Sequence, residues 1–348
     1  MADSADARAA RPGNLVLVVD DDPLGRAVVA QLLRAEGCTV EDAADGQSGY
    51  EKAVQLHPDL ILLDVVMPGL DGFQVCEKIR RKPGVEDVPI LMVTSLEDRP
   101  SRIRGIESGA DDFLSKPIDP TELRARVRTI LRLNRYRRLA ELNQELQVAY
   151  EATLEGLVRA LDLRDHETEG HTQRVTSMTM TLAEAIGVPP EQLLHVRRGA
   201  LLHDLGKIGI PDAVLLKPGR LTPDERTIIE QHPTFAYKVL ETIEFLKPAV
   251  DIPWCHHERW DGRGYPRGLA GTQIPLAARV FAVVDVWDAV TSKRPYHEGM
   301  SREDARSILR KGAGSHFDPM VVDLFLELEA GGIIDAGLDA FRLVESVP

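Results

Sequence analysis

The sequence predicts two domains of different class joined by a long helix: a doubly wound α/β domain on a five-stranded parallel sheet, then an all-α domain. Three observations carry that prediction. Short apolar runs alternate with amphipathic stretches from about residue 14 to 118. The strand pattern stops after residue 152, and helical stretches take over. Nine of the ten histidines lie beyond residue 165, so the two halves differ in chemistry as well as in pattern. A chain of 348 residues is long for one core and comfortable for two.

The strands of the first half are LVLVV, CTVEDA, DLILLD, PILMVT and DDFLSK, separated by helices ending at Glu36 and Leu56 and by helices over 72–80 and 99–107. Five strand–helix units in so short a span require a parallel sheet covered on both faces. Such a sheet keeps its site at the carboxyl ends of the strands. Those ends carry Asp20, Asp21 and Asp22, then Asp64, Thr94 and Lys116. One long helix is predicted over 119–152, with Leu139, Leu142, Leu146 and Ala149 stepping by three and four as a short coiled-coil seam. Seven arginines between 124 and 138 are read as a solvated face turned toward acidic neighbours. Helices follow over 152–163, 168–186, 190–204, 223–246, 274–292, 301–312 and 318–330.

A formal charge of −13 argues against standing affinity for nucleic-acid polymers or anionic membranes. A small anionic substrate stays open if metal ions supply positive charge. Cys38, Cys76 and Cys255 are scattered and odd in number, which speaks against a disulfide framework or a cysteine zinc site and fits a reducing cytoplasm. The start, MADSADARAARPG, lacks an apolar core, and no apolar run approaches the ~20 residues that a bilayer crossing needs. A disordered tail over 1–13 is expected, with no membrane insertion.

Carboxylates converging at a sheet edge repel one another unless a hard cation sits among them, and oxygen-only ligands suit Mg²⁺. Asp64 would then be both ligand and nucleophile toward a phosphoryl donor, with the Thr94 hydroxyl and the Lys116 ammonium offered to the new phosphate oxygens. Any one of these aspartates alone would be better read as a turn residue. The motifs VVDDDP, LLDVVMPGLDG, MVTS and FLSKP resemble the receiver domain of two-component response regulators over 14 to about 133. The resemblance implies a flavodoxin-like fold, phosphorylation of Asp64 by a histidine kinase, and Mg²⁺ held by Asp20 and Asp21 with Asp64. It also implies a switch in which Phe113 turns inward with Thr94.

In the second half RDHETEGHTQR places Glu167 and His171 four apart, on one face if the stretch is helical. LLHDLGK adds His203, Asp204, whose two oxygens could bridge two ions, and Lys207. QHP supplies His232, HHERWDGRGYP supplies His256 and His257, and VVDVWDAV supplies Asp285, an aspartate among apolar residues that needs a cationic partner. These groups are too many for one tetrahedral zinc and suit two or three ions such as iron or manganese. Such ions activate water and offset phosphate charge. Lys207 is the candidate proton donor to the leaving alkoxide, the alternative being a simple pair with Asp204. His57, His166, His195, His297 and His316 are read as ordinary structural or surface histidines, and Cys255 as core. Gly262, Gly264 and Pro266 forbid an ordinary helix and shape a loop, with positive φ expected at its glycines, that can carry the Tyr265 ring toward a ligand or a partner protein.

HDLGK resembles the HD superfamily of metal-dependent phosphohydrolases. HHERWDGRGYP narrows this to the HD-GYP branch, whose activity is hydrolysis of the bacterial messenger cyclic di-GMP; the similarity runs over about 152–330. It implies Glu167, His171, His203, Asp204, His232, His256, His257 and Asp285 as metal ligands, with Glu167 associated with a third ion. After SKRPY, where the family often carries a basic residue, this chain has His297; Arg294 remains to grip phosphate.

The resulting expectation is a receiver domain over 14–133, a linker helix or coiled coil over 134–152 and an HD-GYP domain over 153–348, forming a homodimer. Its output would be hydrolysis of cyclic di-GMP to the linear dinucleotide, with a second step to GMP left open, under control of phosphorylation at Asp64. Two alternatives stand beside it: an adaptor that docks GGDEF proteins through the loop around Tyr265, and a hydrolase of another cyclic dinucleotide.

Overall fold

The computed structural model describes residues 13–95, 99–165, 170–292 and 299–336, with side chains from 103 onward in the helix that begins at Arg99. It divides into two compact units that meet between Leu146 and Gln147. Residues 1–12, most of the expected tail, lie outside the described residues, as do Glu167, Arg294, His166 and His297.

The first unit runs β1 (Leu15–Val19), α1 (Pro23–Ala35), β2 (Thr39–Ala43), α2 (Gly46–Leu56), β3 (Leu60–Asp64), α3 (Gly72–Arg80), β4 (Ile90–Thr94), α4 (Arg99–Glu107) and β5 (Asp112–Ser115). All strands are parallel, in the order β2-β1-β3-β4-β5. Every residue of β1, β3 and β4 is buried, the signature of central strands covered on both sides. Alternate side chains go to opposite faces. Leu17, Ile61, Leu63 and Met92 meet Phe73, Cys76 and Ile79 of α3. Val16, Leu60, Leu62 and Leu91 meet Val29 and Leu33 of α1 and Leu123, Val127 and Leu131 beyond β5. Asp22 leaves the strand-end cluster to cap α1, accepting hydrogen bonds from the amides of Leu24 and Gly25.

The predicted helices over 119–152 and 152–163 are one helix, α5, from Pro120 to Asp165. No glycine or proline interrupts it except Gly156, and one exposed glycine costs too little to end so long a helix. Its arginines pair with acidic neighbours: Arg126 with Asp112 and Glu122, Arg128 with Glu36, Arg138 with Asp59. Leu139, Leu142 and Leu146 are each about half exposed in the single chain.

The second unit continues with α6 (His171–Ala185), α7 (Pro190–Leu201), a 3-10 turn (Leu205–Gly209), α8 (Asp212–Leu215), α9 (Pro223–Ile229), α10 (His232–Leu240), a 3-10 stretch (Glu244–Ala249), α11 (Asp251–Cys255), a 3-10 turn (Gly271–Gln273), α12 (Leu276–Thr291), α13 (Arg302–Gly312) and α14 (Pro319–Ala330). Its core joins Val175, Met178 and Leu182 of α6 to Phe281, Val284 and Trp287 of α12 and Val321 and Phe325 of α14. One helix prediction is corrected. The helix expected over 223–246 is interrupted after Ile229 because Pro233, which has no amide hydrogen, sits in the first turn of a new helix. The helix expected over 168–186 is described from His171, behind Gly170, whose φ of 73° is left-handed; Glu167 lies outside the described residues. Among the described residues no helix is long and apolar enough to cross a membrane.

Candidate functional site

At the carboxyl edge of the first unit's sheet, Asp20, Asp21 and Asp64 bring one oxygen each within 4.8 Å of one another. Asp20 and Asp64 are buried and Asp21 is exposed. Lys116 donates to Asp64 Oδ2 at 2.8 Å and to Asp20 Oδ2 at 3.0 Å, reaching across from the end of β5. Burial raises the Asp64 carboxyl above its ordinary value, against the opposing pull of Lys116. Thr94 is buried at the end of β4. The Phe113 ring lies against Gly105 of α4, so closely that a Cβ added there would come within 2.4 Å of it.

The second unit gathers its histidines at helix ends. His171 opens α6, His203 and Asp204 follow α7, His232 opens α10, His256 and His257 follow α11, and Asp285 lies within α12. Two groups of three result, His232/His256/His257 and His171/His203/Asp285, each with its candidate ligand atoms within 4.8 Å of one another. Asp204 stands between them. Its Oδ1 is 3.3 Å from His232 Nε2 and 3.9 Å from His256 Nε2, and its Oδ2 is 3.1 Å from His203 Nε2.

The ring orientations have a local cause. The last carbonyls of a helix have no partner inside it, which leaves those of Ala200 and Ile229 to be met by a ring; the Ile252 carbonyl takes a ring nitrogen in addition to the His256 amide, 2.9 Å away. His203 Nδ1 donates to the Ala200 carbonyl at 2.8 Å, His232 Nδ1 to Ile229 at 2.8 Å and His256 Nδ1 to Ile252 at 3.0 Å. A carbonyl only accepts, so each Nδ1 carries the proton and each Nε2 presents a lone pair. His232 Nε2 and His256 Nε2 then face each other at 3.3 Å, two lone pairs with no hydrogen between them. Protonation does not relieve the clash at His256, because burial and the adjacent His257 hold its imidazole well below the ordinary value; burial takes His257 itself down to about 3. A cation among these nitrogens does relieve it, and this donor set fits a metal.

Carboxylates that the motif reading passed over complete the site. Asp288, one turn after Asp285, accepts from His171 Nδ1 at 2.7 Å and from Arg174 Nε at 2.7 Å. Burial opposes its ionisation, yet hydrogen bonds from His171 and Arg174 hold it well below the usual carboxylate range. His171 Nε2 is left 3.5 Å from Asp285 Oδ1. Lys207 Nζ lies 2.7 Å from Asp204 Oδ2 and 2.5 Å from Asp165 Oδ2. The expected pair with Asp204 is therefore present, with a second carboxylate added. Although burial resists it, Lys207 helps hold Asp204 well below its ordinary value.

The loop after His257 is closed by Glu258, 2% exposed, which accepts from the amides of Arg267 at 2.7 Å and Leu269 at 2.9 Å. Its glycines serve two purposes. Gly262 has the expected positive φ, 75°. Gly264 does not have a positive φ; it is required because a Cβ would stand 2.4 Å from the Arg259 amide nitrogen and 2.5 Å from the His257 carbonyl oxygen. Tyr265, joined to Pro266, packs its ring on His257 with centroids 4.7 Å apart, and burial pushes its phenol up. His57 meets the Gly84 carbonyl and His316 stacks on Phe317, structural roles for both. Cys255 is buried, its thiol raised to about 11 by that burial.

Two family models match the chain: a response regulator receiver domain over residues 16–128 and an HD domain over residues 156–321. Among curated proteins it is similar to RpfG of Xanthomonas campestris pv. campestris, a cyclic di-GMP phosphodiesterase response regulator, with 38% identity over 89% of this chain and 86% of that one. It is also similar to a probable cyclic di-GMP phosphodiesterase of Vibrio cholerae serotype O1, with 37% identity over 92% of this chain and 78% of that protein. A cyclic di-GMP phosphodiesterase of Thermotoga maritima is 36% identical over 90% of each chain.

Proposed function

Because the chain belongs to the response regulators that join a receiver domain to an HD-GYP domain, we propose that it hydrolyses cyclic di-GMP under control of phosphorylation at Asp64. The observation that carries the catalytic reading is the pair of three-residue groups spanned by the two oxygens of Asp204. In this reading His232, His256 and His257 hold one ion and His171, His203 and Asp285 another, with Asp204 between them. Glu167 would add a third ion. The nitrogen-rich, mixed donor set suits iron or manganese. When bound, such ions generate a nucleophile from water at neutral pH and offset charge on the phosphate.

The chain's own groups divide the remaining work. Lys207 holds a proton beside Asp204, positioned for an alkoxide leaving from the scissile phosphate. Asp288 fixes the His171 ring so that Nε2 faces the site. The Gly264-Tyr265-Pro266 turn walls the site beside His257, and Arg294 is assigned a second phosphate oxygen. A linear dinucleotide is the first product and GMP the second. The packing of Tyr265 on His257 favours a place in the site over docking of GGDEF proteins.

In the receiver unit Asp20, Asp21 and Asp64 would hold Mg²⁺, with a histidine kinase as donor. Thr94 and Phe113 are assigned to the switch. The exposed leucines of α5 are assigned to a homodimer seam. A cytoplasmic location is assigned, since a phosphorelay and a nucleotide messenger both act there.

Protein purified without oxygen and loaded with iron or manganese should convert cyclic di-GMP to these products on chromatography, at a rate that changes when beryllofluoride occupies Asp64. Absence of product with either metal would overturn the enzymatic reading, and equal rates with and without beryllofluoride would remove the regulatory one. Asp288→Asn should weaken metal binding about 10–100-fold, because a ring that loses its orienting carboxylate is a poorer ligand. Titration with Mn²⁺ measures this, and unchanged affinity would detach Asp288 from the site.

A further inference from the structure

We propose that Arg164 and Asp165, the last two residues of α5, are positioning residues that fasten the long helix to Lys207 and make the rate of hydrolysis depend on the state of that helix. The proposal rests on the phosphodiesterase reading above and adds a route by which the helix reaches the chemistry.

Within the second unit α5 is held at three successive levels. Arg197 and Arg198 grip Glu151 at 2.6 and 2.7 Å, and Arg197 also grips Glu155 at 2.7 Å. One turn on, Leu154 and Val158 are buried against Leu201 and Leu202, the two residues before His203. At the end of the helix, Arg164 spreads its guanidinium over the 3-10 turn that carries Lys207. Nη1 donates to the carbonyls of Lys207 at 3.2 Å and Ile208 at 3.0 Å, and Nη2 to that of Ile210 at 2.8 Å. Nε and Nη2 both reach Asp212 Oδ1, at 3.1 and 2.8 Å. A planar, five-donor fork can satisfy these acceptors together; a lysine cannot.

Asp165 completes the connection. Its Oδ2 is 2.5 Å from Lys207 Nζ, and that ammonium is 2.7 Å from Asp204 Oδ2. The side chain of Lys207 is thus aimed by Asp165 while its backbone is held by Arg164. Charge-assisted contacts this short are lost over displacements of about 1 Å, and misplacement by that amount costs on the order of 10²-fold in rate. A small shift or rotation of α5 is therefore felt at Lys207 before any larger rearrangement of the fold.

The test uses the full-length, metal-loaded protein with cyclic di-GMP as substrate, comparing wild type with Arg164→Ala, Arg164→Lys and Asp165→Asn. Expected for Arg164→Ala is a fall in kcat of about 10–100-fold with KM and metal content nearly unchanged. The ratio of kcat with beryllofluoride to kcat without it should move to about 1, and Arg164→Lys should fail to restore it. Asp165→Asn should lower kcat in the same way. Wild-type kcat and ratio in these variants would overturn the proposal, as would loss of kcat and metal together with a lower melting temperature, the mark of a purely structural contact. Amide exchange at Lys207–Ile210 supplies a readout without substrate. Beryllofluoride should change it in wild type and leave it unchanged in Arg164→Ala. Failure of wild type to cleave cyclic di-GMP would count against the activity alone, whereas exchange that responds equally in both proteins would count against the clasp.

Discussion

Replacing His203 and Asp204 together by alanine is expected to slow cyclic di-GMP hydrolysis by about 10³-fold or more, since ions placed at a phosphate supply several kcal/mol of charge stabilisation and each ~1.4 kcal/mol is tenfold in rate. Asp204 is within reach of both sets of histidines, 3.3 Å from His232 and 3.1 Å from His203. Without it each three-residue group would have to hold its ion alone. The substitution also removes a carboxylate from Lys207, whose ammonium keeps its contact with Asp165. Metal content should fall with activity, while beryllofluoride binding at Asp64, in a separate compact unit, should persist. Product chromatography and metal analysis on the same sample check both. Hydrolysis within tenfold of wild type would show that the chemistry sits elsewhere. Retained partner binding and cellular effect in the inactive protein would favour the adaptor reading.

Much of this candidate site is legible in the sequence, because the residues assigned as ligands come in short, locally dense motifs. Paired His256 and His257, or His203 beside Asp204, are costly to bury without a use for their nitrogens, and that cost is visible in sequence. Supporting groups carry no such mark. Asp288 lies three residues after Asp285 on the same helix, yet only the structure reveals that one faces the site and the other aims His171 from behind. Asp165 reads as one more charge at the end of a charged helix until the fold brings it 42 residues along the chain to Lys207. Glu258 sits inside the motif, but its partners, the amides of Arg267 and Leu269, are fixed only once the loop closes.

The sheet of the first unit was legible for a related reason. Buried parallel strands read as continuous apolar runs, and their ends fall where the aspartates begin. Helix boundaries in the second unit were less so. Periodicity continues through Gln231, and it is the proline after His232 that starts a new helix there. That interruption matters for function, since it places the Ile229 carbonyl where it orients the His232 ring.

Gly206→Ala is expected to lower the melting temperature of the second unit by on the order of 10 °C and to abolish hydrolysis. Gly206 is buried in the 3-10 turn between Asp204 and Lys207, against the first turn of α10. A Cβ there would stand 1.8 Å from the His232 carbonyl oxygen and 2.7 Å from the Ala236 nitrogen. Both are backbone atoms, so no flexible side chain can yield. Overpacking usually costs about 1–3 kcal/mol, and an overlap with a helix backbone belongs at or beyond the upper end. For a unit of this size each kcal/mol lowers the midpoint by roughly 2–4 °C. Relief requires the turn and α10 to separate, which lengthens the 3.3 Å approach of Asp204 to His232 and shifts Lys207 as well. Loss of activity should therefore exceed what partial unfolding at the assay temperature explains, and assays well below the new midpoint separate the two effects. A midpoint within about 2 °C of wild type, with hydrolysis intact, would mean that the turn and α10 do not pack at this distance in solution and that the two oxygens of Asp204 need not be held in this register.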